Sequence, residues 1–275
     1  MERARSSKAD AVVFDLEDAV PRAALGDARN LVASMVERRT PSTAAIGIRV
    51  NRLGNEPTVG AADIEAVVRP GLNFVVVPKV EHRNDLAVLD SELNRAEDAN
   101  GMPAGGVKVI PLIETAKGLI RCDEILEAPS SRILTVAFGL GDFSVDIGIS
   151  PIGESLGLLY ARSRIVVAAR AAGLGVPLDG PYLAYNDHDG LIRDSLHSRG
   201  CGFGGRVLIH PNQVSPVNAT YGAVSETDLA FARRAVREFE QAMQTGIGAI
   251  GVDGRLVDRP LYLAAKRLIE QVACQ

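Results

Sequence analysis

Residues 107–118 read VKVIPLIETAKG, a near-continuous apolar run that stops at one carboxylate, Glu114. A run of this length reads as a strand buried on both faces, with Glu114 at its C-terminal end. Residues 133–138 (ILTVAF) repeat the arrangement, and Gly139, Leu140 and Gly141 then turn the chain into Asp142. Two carboxylates at the carboxyl ends of successive parallel strands converge on the ligand-binding face of an α/β protein. Acids so placed usually hold a hard divalent cation, and Mg²⁺ is commonly bound by one or two of them with substrate and water completing the shell. The competing reading is local. Glu114 would cap the helix that begins near Thr115 and Asp142 the next one, because N-caps and first turns favour acids.

Outward from this stretch the chain alternates. Residues 11–16 (AVVFDL), 45–50 (AIGIRV) and 73–77 (NFVVV) read as strands, separated by helices over about 25–38 and 63–68. A helix over 85–99 and a Gly/Pro loop over 101–106 lead into the Glu114 strand, and a further helix runs to about Leu126. Helix 164–172, strand 176–179, helix 189–198 and strand 206–209 follow. Such alternation predicts a parallel sheet wrapped by helices. Seven strands are legible, and a closed (β/α)₈ barrel needs eight. The last part changes character. Residues 227–244 form an amphipathic helix with Leu229, Ala232, Val236, Phe239 and Met243 at helical spacing, and Asp253-Gly254 marks a hairpin turn before Pro260 opens a final helix. The expected organisation is a barrel domain over 1–223 and an appended arm over 224–275.

The 275 residues suffice for one large α/β domain. A formal charge of −4 with both signs interspersed predicts neither a nucleic-acid footprint nor a basic membrane face. Cys122, Cys201 and Cys274 lack metal-ligand spacing and fit a reducing compartment. No apolar run approaches ~18 residues, so a soluble, cytoplasmic protein is expected.

Eight segments in order carry a resemblance: ADAVVFDLEDAVP, IRVN, VPKVE, IPLIET, FGLGDFSVDIG, ARAAGL, GFGGRVLIHPNQV and DGRLVDRP. Together they resemble the citrate lyase β-subunit-like branch of the HpcH/HpaI aldolase superfamily, the CoA-ester lyases. The resemblance implies a (β/α)₈ barrel of the phosphoenolpyruvate/pyruvate type that binds Mg²⁺ and cleaves or forms a carbon–carbon bond beside a thioester. It departs from this chain twice. The family's first strand, with its Arg and Val-Pro-Gly-like turn, has no match, so either the chain starts late or the expected barrel is open where that strand would stand. Asp18 stands where the aldolase branch carries histidine, which favours the CoA-lyase branch.

The resemblance implies roles. Glu114 and Asp142 are the Mg²⁺ ligands, Arg49 meets charge on the thioester oxygen, and backbone N–H groups of Leu140, Gly141 and Asp142 meet the substrate carboxylate. Asp258 reaches a neighbouring subunit's site as general acid/base, which implies a homo-oligomer, a trimer or hexamer. By the residues alone, Arg49 could instead pair with Glu17 or Glu81, and Asp258 would cap a helix. Glu17 and Asp18 are neighbours, so only one should face the ligand unless the strand has turned; Glu17 is either a supporting partner or an ion pair with Lys79. Arg162, Arg164 and Arg170 are candidates for CoA phosphates, while His210 reads as a structural His-Pro turn. The expected substrates are an acyl-CoA of the malyl-CoA or citramalyl-CoA kind and a 2-oxo acid. Alternatives are a citrate lyase β subunit acting on citryl-acyl-carrier protein, a malate synthase-like activity, and a non-catalytic open-barrel partner subunit.

Overall fold

The computed structural model describes residues 7–38, 44–54, 57–128, 131–152 and 156–273. Cys274 and the first six residues of the sequence lie outside them. Two compact units divide the chain, Met1–Tyr221 and Gly222–Gln275.

The first unit runs β1 (Ala11–Asp15), α1 (Leu25–Glu37), β2 (Ala45–Arg49), α2 (Pro57–Val67), β3 (Phe74–Val77), α3 (Arg83–Ala99) and β4 (Lys108–Ile113). It continues through α4 (Ala116–Ile120), α5 (Cys122–Leu126), β5 (Ala137–Phe138), α6 (Leu140–Asp146), α7 (Leu156–Ala171), β6 (Leu178–Asp179), α8 (His188–Cys201), β7 (Gly205–Arg206) and α9 (Val214–Gly222). The seven strands pair in sequence order, and every pairing is parallel. This is an incomplete (β/α)₈-type barrel, as the sequence predicts. The strands after β4 are shorter than expected. Only Ala137 and Phe138 of the 133–138 run form β5, although Ile133 still bridges Val109. The helices come out longer, α2 starting at Pro57 and α7 at Leu156, and α9 has no counterpart in the sequence reading.

Strand periodicity divides the apolar residues between two faces. Val12, Phe14, Ile46, Ile48, Val75, Val77, Val109 and Ile113 enter the large core that the helices cover. Phe74, Val76, Ile110, Leu112 and Ala137 form a smaller cluster on the opposite, inner face, with Ala45 and Leu178 against it. Counting by two along β4 from Ile110 and Leu112 brings Glu114 onto that inner face. The same count along β2 puts Arg49 there with Ala45, and β1 sets Asp15 beside it in register.

In the second unit, α10 (Glu226–Gln244), the hairpin β8 (Ile250–Val252) and β9 (Arg255–Val257), and α11 (Arg259–Ala273) share a core of Ala232, Ala235, Phe239, Val252, Val257 and Ala265. Among the described residues no helix is long and apolar enough to cross a membrane.

Candidate active site

Glu114 is 1% exposed. It does not cap the helix on its C-terminal side. Thr115 does, its Oγ1 accepting the Gly118 N–H at 3.0 Å. The local reading therefore fails for Glu114, whose Oε1 instead accepts the backbone N–H of Lys79 at 2.7 Å. Lys79 directs that N–H from a left-handed backbone, φ 51°, which a non-glycine residue adopts at a cost of about 1–3 kcal/mol. Among the described residues Oε2 accepts no protein hydrogen bond. A Cβ on Gly139 would sit 2.2 Å from this oxygen, so glycine at the end of β5 is what lets a carboxylate stand there.

Asp142 lies in the first turn of α6, half-buried, with no side-chain hydrogen bond that caps the helix. Burial first, then repulsion by Asp142, pushes the Glu114 carboxyl up to about 8, against the opposing Lys79 N–H. Two carboxylates close enough to repel, one of them buried with a free oxygen, form a donor set that suits a hard cation. Among the described residues no group of three or more His, Cys, Asp or Glu forms a metal-ligand cluster. A two-carboxylate site leaves the rest of the shell to water and substrate, the usual arrangement for Mg²⁺.

Beside this pair lies a network that the sequence disclosed only in part. Arg49 holds Asp15 in a fork, Nε to Oδ1 at 2.7 Å and Nη2 to Oδ2 at 2.6 Å, and its Nη1 lies 2.8 Å from Glu17. Lys79 Nζ donates to Glu17 Oε1 at 2.6 Å. Asp18 stands 3.8 Å from Arg49 and 3.7 Å from Lys79. The exception allowed for Glu17 and Asp18 applies, because β1 ends at Asp15 and the chain has already turned before them. Both structural pairings weighed for Glu17 are present, to Arg49 and to Lys79. Glu81 goes to Arg52 at 3.1 Å and not to Arg49.

Burial alone would raise Asp15, but Arg49 and the N–H groups of Glu17 and Ala19 hold it below the usual carboxylate range. Burial lifts the Glu17 carboxyl, against the pull of Lys79 and Arg49. The Lys79 ammonium, which burial would lower, is held above its ordinary value by Glu17, Asp142 and Glu114. Lys79 is thus the cation common to both halves of the site. Its sequence signal was the Pro-Lys pair at the end of a strand, and Asp15 was masked by sitting inside an apolar run.

Other sequence candidates make contacts of their own. Arg162 is buried between Asp179 and Asp194, at 2.9 Å from each, and so is not free for CoA phosphates, while Arg164 pairs at the surface with Asp123 at 2.7 Å. His210 Nδ1 bonds Asn212 Oδ1 at 2.6 Å and the ring stacks on Tyr185. Asp258 Oδ1 accepts the Leu261 N–H at 3.2 Å, the pairing of a residue that caps α11.

Fold and site together define a barrel-type α/β protein whose acids and bases gather at the carboxyl ends of its strands. Residues 1–211 match the model of the HpcH/HpaI aldolase/citrate lyase family, and the chain belongs to that family. The citrate lyase subunit beta of Leuconostoc mesenteroides subsp. cremoris is 34% identical over 95% of this chain and 85% of its own length. A (3S)-malyl-CoA thioesterase of Cereibacter sphaeroides is 31% identical over 98% and 88%. The crystal structure of CitE from Mycobacterium tuberculosis in complex with magnesium, acetoacetate and coenzyme A is 28% identical, covers 96% of this chain and 90% of that one, and superposes with a TM-score of 0.75.

Proposed function

We propose that this protein is a Mg²⁺-dependent carbon–carbon lyase that splits a malyl-CoA or citramalyl-CoA type 3-hydroxyacyl-CoA into acetyl-CoA and a 2-oxo acid, reversibly. The observation that carries the reading is the buried, half-satisfied Glu114 beside Asp142, with the Arg49 network next to it. Glu114 and Asp142 would hold the ion, which when bound polarises the oxo-acid carbonyl.

In the condensing direction the carboxylate of Asp258 from a neighbouring subunit takes a proton from the methyl carbon of acetyl-CoA. Electron density moves onto the thioester oxygen, where Arg49 meets it. Two N–H groups of Arg49, on Nε and Nη2, are committed to Asp15 while Nη1 stands as an ion pair 2.8 Å from Glu17, which leaves one hydrogen on Nη2 and both on Nη1 for that oxygen. Asp15 and Glu17 fix the plane of the guanidinium. The methyl carbon then bonds to the oxo carbon, whose oxygen becomes the hydroxyl as it takes up a proton. The N–H groups of Leu140 and Gly141, ahead of the first intrahelical bond of α6, take the substrate carboxylate. Cleavage is the reverse, ending with proton return from Asp258 to carbon. The active unit on this reading is a cytoplasmic homo-oligomer, a trimer or hexamer, in which the C-terminal arm docks on a neighbour.

Cleavage of a panel of hydroxyacyl-CoA esters with and without chelator, by wild type, Glu114→Gln and Asp258→Asn, tests this. Loss of turnover in chelator and in both variants is expected; turnover indifferent to chelator and to Glu114→Gln sinks it. A second reading, in which the CoA adduct is also hydrolysed as in net malate synthesis, draws on the likeness to the malyl-CoA thioesterase. Free thiol released from acetyl-CoA plus glyoxylate would single it out. The likeness to citrate lyase subunit beta favours a third, work on citryl-acyl-carrier protein, which predicts little activity without partner subunits.

A further inference from the structure

Among the described residues only Lys79 and Asp253 combine a side chain with a positive φ. Asp253 does so beside Gly254 in the tight turn between β8 and β9, where a hairpin needs that conformation. No hairpin surrounds Lys79. Its N–H must turn toward Glu114 Oε1, and a glycine would donate the same 2.7 Å bond without the strain. What residue 79 adds is therefore the side chain. Its ammonium donates to Glu17 Oε1 at 2.6 Å, yet Glu17 already faces Arg49 at 2.8 Å and has a countercharge without it.

The charges around it give the ammonium a use. Asp15, Glu17 and Asp18 gather on Arg49, Glu17 and Asp18 also face Lys79, and Asp142 and Glu114 attract Lys79 from the other half of the site. With a divalent ion bound and every carboxylate ionised, those acids outnumber Arg49, Lys79 and the ion by one charge. Loss of the ammonium would double that excess. The two expected ligands differ in sign, since the metal brings positive charge and a 2-oxo acid negative. A fixed cation between them opposes the first and favours the second. The Lys79 side chain is 30% exposed, so its charge is open to an arriving ligand, whereas the Arg49 guanidinium is forked onto Asp15.

Resting on the lyase reading, we propose that Lys79 balances the charge of the site: its ammonium loosens the hold on Mg²⁺ and draws the anionic 2-oxo acid to the metal-loaded site. Lys79 is then a positioning residue that acts through its field and touches no reacting atom. A unit charge a few ångströms away, at the effective dielectric of a protein surface, shifts a binding constant by about tenfold or more.

The test titrates the full chain at pH 8 with MgCl₂ alone, then with glyoxylate and pyruvate at saturating Mg²⁺, by calorimetry and by Tm. Condensation with acetyl-CoA is followed on the same samples. Lys79→Met should bind Mg²⁺ about tenfold more tightly and each oxo acid about tenfold more weakly, with a rise in KM that exceeds any fall in kcat. Lys79→Gly frees the backbone of strain and keeps the N–H to Glu114, so the same split there excludes backbone distortion as the cause. Lys79→Arg keeps the charge and should bind both ligands within about threefold of wild type. A purely structural role would weaken both ligands together. That outcome in Lys79→Met and Lys79→Gly overturns the proposal, as do unchanged affinities or a split that Lys79→Arg shows equally. Should wild type bind both ligands yet join no carbon–carbon bond, the lyase reading falls, and opposite shifts of the two affinities still uphold the role of Lys79. If wild type binds neither ligand, both fall.

Discussion

Glu114 is the residue whose electrostatics most constrain the protein. A glutamate in the unfolded chain releases its proton near 4.5, whereas Glu114 does so near 8. Between those values the folded protein holds a proton that the unfolded one has lost. Stability without metal must therefore fall as pH rises from about 5 to 8, by at most about 1.4 kcal/mol per pH unit from this group. Thermal melts in chelator across that range should show the decline, and Glu114→Gln should flatten it. Because the ion would need the ionised carboxylate, the Tm gain from Mg²⁺ should grow with pH toward 8 and then level off; a gain independent of pH would argue against Glu114 as a ligand. Arg49→Lys should fail differently. A lysine cannot span the fork to Asp15 and also reach Glu17, so turnover should drop at least tenfold with only a modest loss of Tm, read from kinetics and melts on the same samples.

The element scale concerns how short strands and turns place these groups. β5 is two residues long, and Gly139 at its end decides whether the Glu114 carboxylate has room. Gly139→Ala forces a methyl group onto that carboxylate, so it should abolish the Mg²⁺-dependent rise in Tm while costing the metal-free fold only about 1–3 kcal/mol by denaturant titration. On the covered face, Asp179 closes β6 against Arg162, with Arg206 at 3.9 Å. Asp179→Asn leaves a buried guanidinium short of its countercharge. A loss of about 3–5 kcal/mol is expected in urea unfolding, the penalty for breaking a buried pair by removing one member. Asp179, like the site acids, stands at a strand end. Only the parity of Leu178 and Asp179 on a two-residue strand separates it from the site acids, and parity over two residues cannot be read from a sequence.

At the scale of the whole molecule the prediction concerns Asp258. Within its own chain it caps α11, and the proposed chemistry assigns it to a neighbour's site. Mixing inactive Asp258→Asn with inactive Glu114→Gln protein, after dissociation and reassembly, should restore part of the activity, because some sites would then combine an intact Glu114 with an intact Asp258. Activity that stays absent in verified mixed oligomers would mean that Asp258 serves its own subunit or none. The seven-strand count and the parallel order were legible, because βα alternation survives without tertiary information. The length of the late strands was not, since an apolar run such as 133–138 reads the same in a sequence whether or not all its residues pair.

By itself the sequence determined the fold class and which acids end which strands, because both follow from local periodicity and chain order. It also determined the family, through motifs spread along the chain. The tertiary structure alone decided that Lys79 and Asp15 join the site, that Glu17 and Asp18 lie on one side, and that Arg162 and Arg164 form ion pairs. Those outcomes depend on which side chains meet across strands and helices far apart in the chain. A charge has no pattern of its own in a sequence, and its role is set by the partner that burial brings to it.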